Sequence, residues 1–218
     1  MTSTSLKQRL TTQVVRQFGR PRGVLGRLAG WVMAHRATNR RRNLWVVSLL
    51  DVRPTDRVLE VGFGPGLAIA ELARHASRGR VYGIDHSDVM TRRARRRNAA
   101  AIRAGRVDLR HAPVDRLPHF DTPLDAVVAV NSLGFWPDPV RRLGELRGLL
   151  RPGGRIALAG QPRCAGATAD TTARAGRELH DLLTRAGFTR ARVETLPLSP
   201  PVACVLAVNP VEGGADHD

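Results

Sequence analysis

Two carboxylates flank a glycine-rich turn in the first third of the chain. Glu60 lies in the apolar run Val58–Val61, and Asp85 ends the next apolar run. Three glycines follow the first run: Gly62, Gly64 and Gly66. A turn of this kind brings backbone N–H groups and a helix N-terminus close to a ligand. An acid at the end of the second strand of such a unit accepts hydrogen bonds from ribose hydroxyls. The pattern therefore predicts a pocket for a ligand that contains a ribose.

The spacing of the glycines and the charge of Glu60 restrict that ligand further. The dinucleotide fingerprint is GxGxxG, but here the spacing is GxGxG and Leu67 stands where the third glycine would be. A carboxylate at Glu60 repels a pyrophosphate and attracts a cationic group. Both observations oppose an NAD-dependent dehydrogenase. S-adenosylmethionine, with a ribose, an ammonium group and no phosphate, fits the pattern.

Short apolar runs alternate with helical patterns along the chain, which predicts a parallel sheet with helices on both faces. The predicted strands are Val58–Val61, Val81–Ile84, Val107–His111, Ala126–Val130, Arg155–Ala159, Arg192–Leu196 and Val202–Val208. Only about four residues, Leu198–Pro201, join the last two strands. A parallel crossover needs a dozen residues or more, so this pair must be antiparallel. We therefore expect a Rossmann-like, doubly wound α/β fold with a seven-stranded, mostly parallel sheet whose last strand is antiparallel.

The helical segments follow from the same pattern. A basic helix continues through Leu50, and further helices are predicted at Leu67–Ala76, Asp88–Ala104, Val140–Leu150 and Thr172–Ala186. The stretch Ala112–Leu124 contains three prolines and is expected to be a loop. This loop follows the third strand, so it lies at the carboxyl edge of the sheet, where open α/β sheets bind ligands.

Several motifs together resemble those of class I S-adenosylmethionine-dependent methyltransferases. They are VLEVGFGPG, GIDHSDVM, AVVAVNSLGFWPDP, LRPGGRIAL and AGF, and the similarity covers Asn39 to Val208. It is closest to the small-molecule branch that includes quinone-biosynthesis methyltransferases. The resemblance implies the same seven-stranded fold with an antiparallel last strand.

The resemblance also implies roles for individual residues in binding the cofactor. Glu60 and the turn of Gly62, Gly64 and Gly66 would hold the methionine part, and Asp85 the ribose. His86 and Met90 would flank the adenine.

Asn131 would lie near the transferring methyl group. In one place the sequence departs from the family pattern. Pro113 stands where members often have an acid that binds the adenine amino group, so the backbone at Val114 or the side chain of Asp115 would replace it.

The residues after the fourth strand indicate the class of acceptor. Asn131 is followed by Ser-Leu-Gly-Phe-Trp, not by the Asn-Pro-Pro-aromatic sequence of exocyclic-amine nucleic-acid methylases. Neither cysteine is placed to act as the nucleophile of a cytosine C5-methylase. Phe135 and Trp136 could wall an apolar acceptor site, although Trp136 could equally pack on the following helix. We predict methyl transfer to an apolar or amphipathic small molecule, at an oxygen, nitrogen or carbon atom.

No catalytic triad is expected, because methyl transfer from a sulfonium mainly requires that the acceptor be positioned and water excluded. Candidate catalytic residues are Asn131, His111 and His119, and His35 and Gln161 are further polar candidates on the acceptor side. Segment 161–171 is rich in small residues and could form a mobile flap over the acceptor. The histidines form no metal-binding pattern, so no metal site is predicted.

The charge of the chain leaves two alternatives open. The formal net charge is +16, and residues 1–50 carry ten basic side chains and no acid. An RNA acceptor is one reading of that charge, and contact of an amphipathic N-terminal helix with a membrane surface is another. A solvated helix face in an arginine-rich chain is the simpler explanation. A third hypothesis is a regulatory protein that binds the cofactor without catalysing methyl transfer.

Length and composition predict one folded domain with extensions. We expect a basic helical cover at 1–50, a methyltransferase domain at 51–210 and a disordered tail at 211–218. No apolar run approaches about 20 residues, the length of a transmembrane helix, and the cytoplasm is the expected location. The oligomeric state does not follow from the sequence.

Overall fold

The computed structural model describes residues 28–164 and 166–211, with side chains from Ala37 onward. The first half contains helix α1 (Leu28–Leu50), strand β1 (Arg57–Val61), α2 (Leu67–His75), β2 (Arg80–Asp85), α3 (Asp88–Arg97), α4 (Ala99–Arg103) and β3 (Val107–His111). The second half contains β4 (Leu124–Val130), a 3-10 turn (Leu133–Phe135), α5 (Pro139–Leu149), β5 (Leu150–Gly160), α6 (Ala169–Arg185), β6 (Thr189–Leu196) and β7 (Val202–Val208).

The strands form one seven-stranded sheet in the order β3-β2-β1-β4-β5-β7-β6. The neighbours from β3 to β5 pair in parallel, and β7 is antiparallel to both β5 and β6. The predicted fold is therefore confirmed, including the reversed last strand. The order of the sheet changes direction between β1 and β4, and the carboxyl ends of these strands form the crevice in which such folds bind ligands.

Alternate side chains of the central strands enter two separate hydrophobic cores. Val58 packs on one face with α1 and α2, while Leu59 packs on the other face with α5 and α6. Strands that are buried on both faces have continuous apolar sequences, which is why these strands could be predicted from the sequence.

One predicted helix is divided in the structure. Asp88–Ala104 is not continuous, because α3 ends at Arg97 and α4 begins at Ala99. The amide group of Asn98, between them, donates to the carbonyl oxygens of Ala94 and Gly66 at 2.9 and 3.2 Å. A side chain that bonds to backbone carbonyls in this way competes with helix continuation. It also ties the end of α3 to the residue from which α2 starts.

The proline-containing segment after β3 takes the place of a helix. Residues 112–123 form no helix, as predicted, yet Val114 is buried in the second core, and Ala112, Leu117 and Phe120 pack against it. The rings of Phe120 and Tyr82 meet edge to face with centroids 4.9 Å apart. The apolar side chains of the loop thus cover the sheet near Tyr82 on β2, where a helix would otherwise pack.

Helix α1 packs into the same core as the sheet. Val46, Val47 and Leu50 are fully buried in the first core, and Arg155 on β5 donates from Nε to the carbonyl oxygen of Leu50 at 3.1 Å. No helix within the described ranges is long and apolar enough to cross a membrane. The expectations for residues 1–27 and for the tail at 212–218 lie outside the described residues.

Candidate functional site

A cleft of about 450 Å³ opens at the carboxyl ends of the central strands. Its walls come from α1, the turn after β1, the end of β2, residues 112–115, residues 130–137 and Arg163. The topology thus brings together residues as far apart in the chain as Glu60 and Asn131. Most of the predicted cofactor residues lie in this lining: Glu60, Gly62, Gly64, Asp85, His86, Met90, Val114 and Asn131. Gly66, the remaining member of the predicted set, does not line the cleft.

The glycine turn has a left-handed backbone at each of its three glycines, with φ of 79° at Gly62, 52° at Gly64 and 75° at Gly66. A Cβ at Gly62 would overlap the Cβ of Ser132, and one at Gly66 would lie 2.8 Å from the Cβ of Ala94. At Gly64 a Cβ would meet no protein atom within 4 Å. Gly62 and Gly66 therefore allow close packing within the protein, whereas Gly64 faces open space in the cleft.

Glu60 is a buried carboxyl group with an unsatisfied oxygen. It is 1 % exposed, and its Oε2 has no hydrogen-bond partner among the described residues. Burial and, to a smaller extent, the nearby charge of Asp85 raise the pKa of Glu60 to about 8, against a smaller lowering by a backbone hydrogen bond from Ile69. A cation in the cleft would supply the partner that Glu60 lacks.

Asp85 is also buried, but its oxygens already accept backbone hydrogen bonds. Oδ2 accepts from the N–H of Gly64 and Oδ1 from the N–H of Ser87, both at 2.8 Å. A carboxylate can accept about four hydrogen bonds in all, so capacity remains for a ligand hydroxyl. Asp85 therefore holds the glycine turn in place in addition to its predicted contact with ribose.

The predicted adenine-side residues lie on the same side of the cleft as Asp85. Met90 is half-buried in the first turn of α3, where its N–H donates to the N-cap Ser87 Oγ at 3.3 Å. His86 is exposed, and Val114 is buried in the wall formed by the proline-containing loop. Val114 and Asp115 both line the cleft beside Pro113, so both predicted replacements for the missing family acid have access to it.

Asn131 follows β4 with a positive φ of 56°. Its Oδ1 accepts from the N–H of Gln161 at 2.8 Å, while its Nδ2 is buried without a hydrogen-bond partner in the described part of the chain. The strained backbone conformation and the fixed oxygen orient the amide, so its free N–H donors are available to a ligand.

The segment after Asn131 supplies the apolar wall of the cleft. Phe135 is 54 % exposed at the mouth, and its ring centroid lies 5.5 Å from that of His86. Trp136 is buried in the second core and also lines the cleft. The structure thus places Trp136 both in the core and in the cleft lining, and its contact with an acceptor stays a prediction.

The structure does not bring the two histidine candidates into the cleft. His111 is exposed at the end of the edge strand β3, with its Nε2 2.9 Å from the carbonyl oxygen of His86. His119 is almost fully exposed, 3.6 Å from a carboxyl oxygen of Asp121. The side chain of His35 lies outside the described residues. Among the candidate catalytic residues whose side chains are described, only Asn131 lines the cleft.

The structure adds a cation that the sequence analysis did not single out. Arg42 on α1 is 4 % exposed and lines the cleft with Asn39 and Asn43. Its Nη1 donates to Gln161 Oε1 at 2.6 Å, its Nη2 donates to Asn39 Oδ1, and its Nε has no partner among the described residues. Gln161 is buried, holds Arg42 through this hydrogen bond and does not itself line the cleft.

Arg42 could have been recognised from its position in the helix. It precedes Val46 and Leu50 at intervals of four residues, which places it on the buried stripe of α1. Arg40 and Arg41, its neighbours in the same basic run, are exposed.

These features fit S-adenosylmethionine. Glu60 offers an unpartnered carboxyl oxygen, Gly64 leaves space against the backbone, and Asp85 lies at the second strand end that receives a ribose. No lysine or arginine lies in the glycine turn to neutralise a diphosphate. These groups thus suit a ligand with a ribose and a positive charge.

Comparisons with known proteins agree with this assignment. Residues 58–154 match the family model described as "Methyltransferase domain". The chain is 30 % identical over 184 residues to the "Uncharacterized methyltransferase YdaC" of Bacillus subtilis, covering 84 % of this chain and 98 % of that protein. It is also 30 % identical over 115 residues to the "Ubiquinone/menaquinone biosynthesis C-methyltransferase UbiE" of Geotalea daltonii, covering 52 % of this chain and 49 % of that one.

A solved structure shows the same fold. The SAM-dependent methyltransferase from Aquifex aeolicus superposes with a TM-score of 0.62 at 19 % identity, covering 90 % of this chain and 97 % of the other.

Proposed function

Because this chain belongs to the class I S-adenosylmethionine-dependent methyltransferases, we propose that its methyl acceptor is an apolar or amphipathic small molecule. The observation that carries the proposal is the aromatic wall of the cleft. Phe135 exposes more than half of its surface at the mouth, next to the buried Trp136. Pockets with a largely apolar lining and a few convergent polar groups are typical of small-molecule sites. The match to a quinone-biosynthesis methyltransferase supports the same class of acceptor.

In this proposal the cofactor lies over the β1 and β2 ends of the cleft. Glu60 binds the cationic methionine part, the Gly64 backbone lies against it, and Asp85 binds the ribose, with His86, Met90 and Val114 around the adenine. When bound, the cofactor supplies an electrophilic methyl group on a sulfonium.

The chain's own contribution is mainly positional. Asn131 lines the cleft at the end of β4, between the two strands assigned to the cofactor and the loop after β5, and its buried Nδ2 has no hydrogen-bond partner among the described residues. A donor fixed in this way can orient an acceptor oxygen or nitrogen atom towards the methyl group. Phe135 and Trp136 exclude water from one side. Among the described lining residues the one histidine is His86, on the cofactor side, in keeping with a transfer that needs no general base.

The alternative of an RNA acceptor rests on the net charge of +16. The arginine-rich part of α3 does not join the cleft: from this region only residues up to Met90 line it. Arg95 is engaged with the carbonyl oxygen of Leu109, and Arg92 pairs with Asp88. The described cleft therefore presents an aromatic wall and not a continuous basic track, which favours the small molecule.

A methyl-transfer screen tests the proposal. Purified protein would be incubated with methyl-labelled S-adenosylmethionine and a cell extract separated into small molecules, RNA and protein. We expect label in the small-molecule fraction, extractable into organic solvent, and mass spectrometry then identifies the product. Label confined to RNA or to protein would refute the proposed acceptor class.

Two variants link the label to the cleft. Asp85→Asn keeps one oxygen acceptor for the backbone but removes the charge, and Asp121→Asn removes an exposed charge outside the cleft. We expect the first variant to lose at least about tenfold in turnover, since a hydrogen bond to a charged group contributes about 1.5–3 kcal/mol. The second should match the wild type.

A further inference from the structure

The acidic and the basic side chains of the cleft lie at opposite ends of it, along the order of the strands. Its carboxylates, Glu60, Asp85 and Asp115, come from the ends of β1, β2 and the segment after β3. Its two guanidinium groups belong to Arg42 and Arg163, at the other end. Arg163 follows β5 by three residues, and Arg42 is hydrogen-bonded to Gln161 in the same segment. Asn131, at the end of β4, lies between the two ends.

The basic end of the cleft has no counter-charge among the described residues. The arginine–carboxylate pairs of the structure involve other arginines, and none places a carboxylate within 4 Å of Arg42 or Arg163. The groups that Arg42 does contact, Asn39 and Gln161, are neutral amides. The chain has no acid before Asp51, so residues 1–50 provide no counter-charge either.

The surroundings of Arg42 make its charged form less favourable than it is in water. Burial and, to a smaller extent, the positive charge of Arg163 lower its pKa to about 9. A buried cation beside a second cation is unfavourable unless a ligand compensates for it. The buried Nε of Arg42 also has no hydrogen-bond partner in the described chain. Within that part of the chain, Arg42 therefore lacks both an acceptor for this N–H group and a carboxylate to balance its charge.

We propose that Arg42 and Arg163 bind an oxyanion, a carboxylate or a phosphate, carried by the methyl acceptor. This inference rests on the proposed function, because it assigns the acceptor to the β4–β5 side of the cleft and the cofactor to the β1–β2 side. The acceptor is then amphipathic in a defined sense: its apolar part packs on Phe135 and Trp136, and its anionic group faces the arginines. Guanidinium groups suit this role because their planar donors match the two oxygens of such an anion.

The same chemistry is present in the α-carboxylate of the cofactor itself, so the experiment must separate the two sources. Isothermal titration would first measure binding of S-adenosylhomocysteine and of 5′-methylthioadenosine, which lacks the amino-acid part. We expect Arg163→Gln to bind both with affinities within about threefold of the wild type. Loss of more than about tenfold for S-adenosylhomocysteine alone would show that the arginines bind the cofactor carboxylate and would overturn the acceptor assignment.

Three small aromatic probes then test the acceptor side in protein saturated with S-adenosylhomocysteine. They are benzoate, phenyl phosphate and the neutral benzamide. We expect at least one of the anions to bind at least about tenfold more tightly than benzamide, since a hydrogen bond to a charged group contributes about 1.5–3 kcal/mol. The preference should disappear in Arg163→Gln, whose side chain is on the surface, and persist in Arg41→Gln, which alters the exposed neighbour of Arg42.

Equal binding of all three probes, or a preference unchanged by Arg163→Gln, would overturn the inference. Arg42→Lys provides a second variant that keeps the charge but loses the planar donors, and we expect it to weaken the anion preference without removing it. If S-adenosylhomocysteine binds and the anions do not, the inference fails while the proposed small-molecule acceptor stands. If the methyl-transfer screen labels only RNA or protein, the proposed function fails irrespective of the probes.

Discussion

Glu60 and Arg42 are charged side chains of opposite sign that line the same cleft in buried positions. Each has an atom without a hydrogen-bond partner in the described structure. Burial raises the pKa of Glu60 and lowers the pKa of Arg42, and both shifts favour the uncharged form of the side chain. Unfavourable burial of this kind is common at functional sites, where a ligand provides the missing interaction. At the scale of residues, the cleft therefore contains two buried ionisable groups, each with a polar atom for which the described protein offers no partner.

The raised pKa of Glu60 predicts how cofactor binding depends on pH. Below about pH 8 the free protein holds this carboxyl group protonated, and a cation bound beside it favours the ionised form. Binding must then release a proton, so the contribution of Glu60 to the affinity for S-adenosylmethionine should rise with pH, by up to about tenfold per unit, and level off above pH 8. Titration calorimetry from about pH 6 to about pH 9 measures this dependence.

Glu60→Gln should bind the cofactor more weakly at about pH 8 and lose that part of the pH dependence. The ammonium group of the cofactor has its own pKa near 8, and the difference between wild type and variant removes its contribution. Glu71→Gln, on α2 outside the cleft lining, serves as the control and should follow the wild type. Parallel pH curves for Glu60→Gln and the wild type would contradict the assignment of Glu60.

At the scale of elements, the turn after β1 determines how closely a ligand approaches the sheet. Gly62 and Gly66 bring the turn against Ser132 and α3, so that, of the three turn glycines, Gly64 faces open space. The N–H of Gly64 is directed by Asp85. Turn and carboxylate therefore form one unit, positioned by adjacent strands.

Gly64→Ala separates the cost of the backbone conformation from the cost to the ligand. The residue has φ of 52°, so alanine should destabilise the fold by about 1–2 kcal/mol through strain. Its methyl group would enter the cleft, and we expect cofactor affinity to fall at least about tenfold. Gly105→Ala is the matched control, since that residue has φ of 70°, no atom within 4 Å of a Cβ and no place in the cleft lining. It should lose stability without losing affinity.

Side chains of helix α1 share the first core with the sheet, so we expect the helix to contribute to the stability of the domain. Leu50 is fully buried in the first core, which also contains side chains of the sheet and of α2. Leu50→Ala should lower the free energy of unfolding by about 2–5 kcal/mol, the usual cost for a buried leucine. Urea unfolding measures the change, and the exposed Arg41→Ala should stay within about 0.5 kcal/mol of the wild type. A loss below about 1 kcal/mol for Leu50→Ala would show that α1 is a detachable cover.

The sequence predicted what is encoded locally and missed what depends on the neighbours in space. The central strand segment Ala126–Val130 is an uninterrupted apolar run, and Glu60 and Asp85 are fixed at strand ends whatever the remaining packing. His111 was a reasonable candidate, but its strand is at the edge of the sheet and its ring lies outside the cleft lining. The role of Arg42 was not predicted, because it lies in a run of adjacent arginines and composition does not show which of them faces the protein interior.

At the scale of the whole molecule, the basic charge is unevenly distributed. Ten of the 35 basic side chains fall in the first 50 residues, which contain no acid. A charge of this size attracts polyanions without specifying a substrate. Non-specific binding of RNA is therefore expected even if the acceptor is a small molecule.

Salt dependence and methyl incorporation separate these two properties. We expect transfer RNA to bind at about 50 mM KCl, to lose most of its affinity by about 200 mM, and to gain no methyl group at either concentration. Filter binding and labelled cofactor measure the two quantities on the same samples. Salt-resistant binding accompanied by methyl incorporation would favour the RNA alternative.

The position of β7 has a consequence for the synthesis of the protein. This strand follows β6 in the chain but lies between β5 and β6 in the sheet. During translation, β6 therefore has no strand to pair with until residues 202–208 have left the ribosome, whereas the described cleft lining ends at Arg163. The ligand-binding half can assemble first, and the open edge of β5 stays exposed to other chains until the final strand closes it.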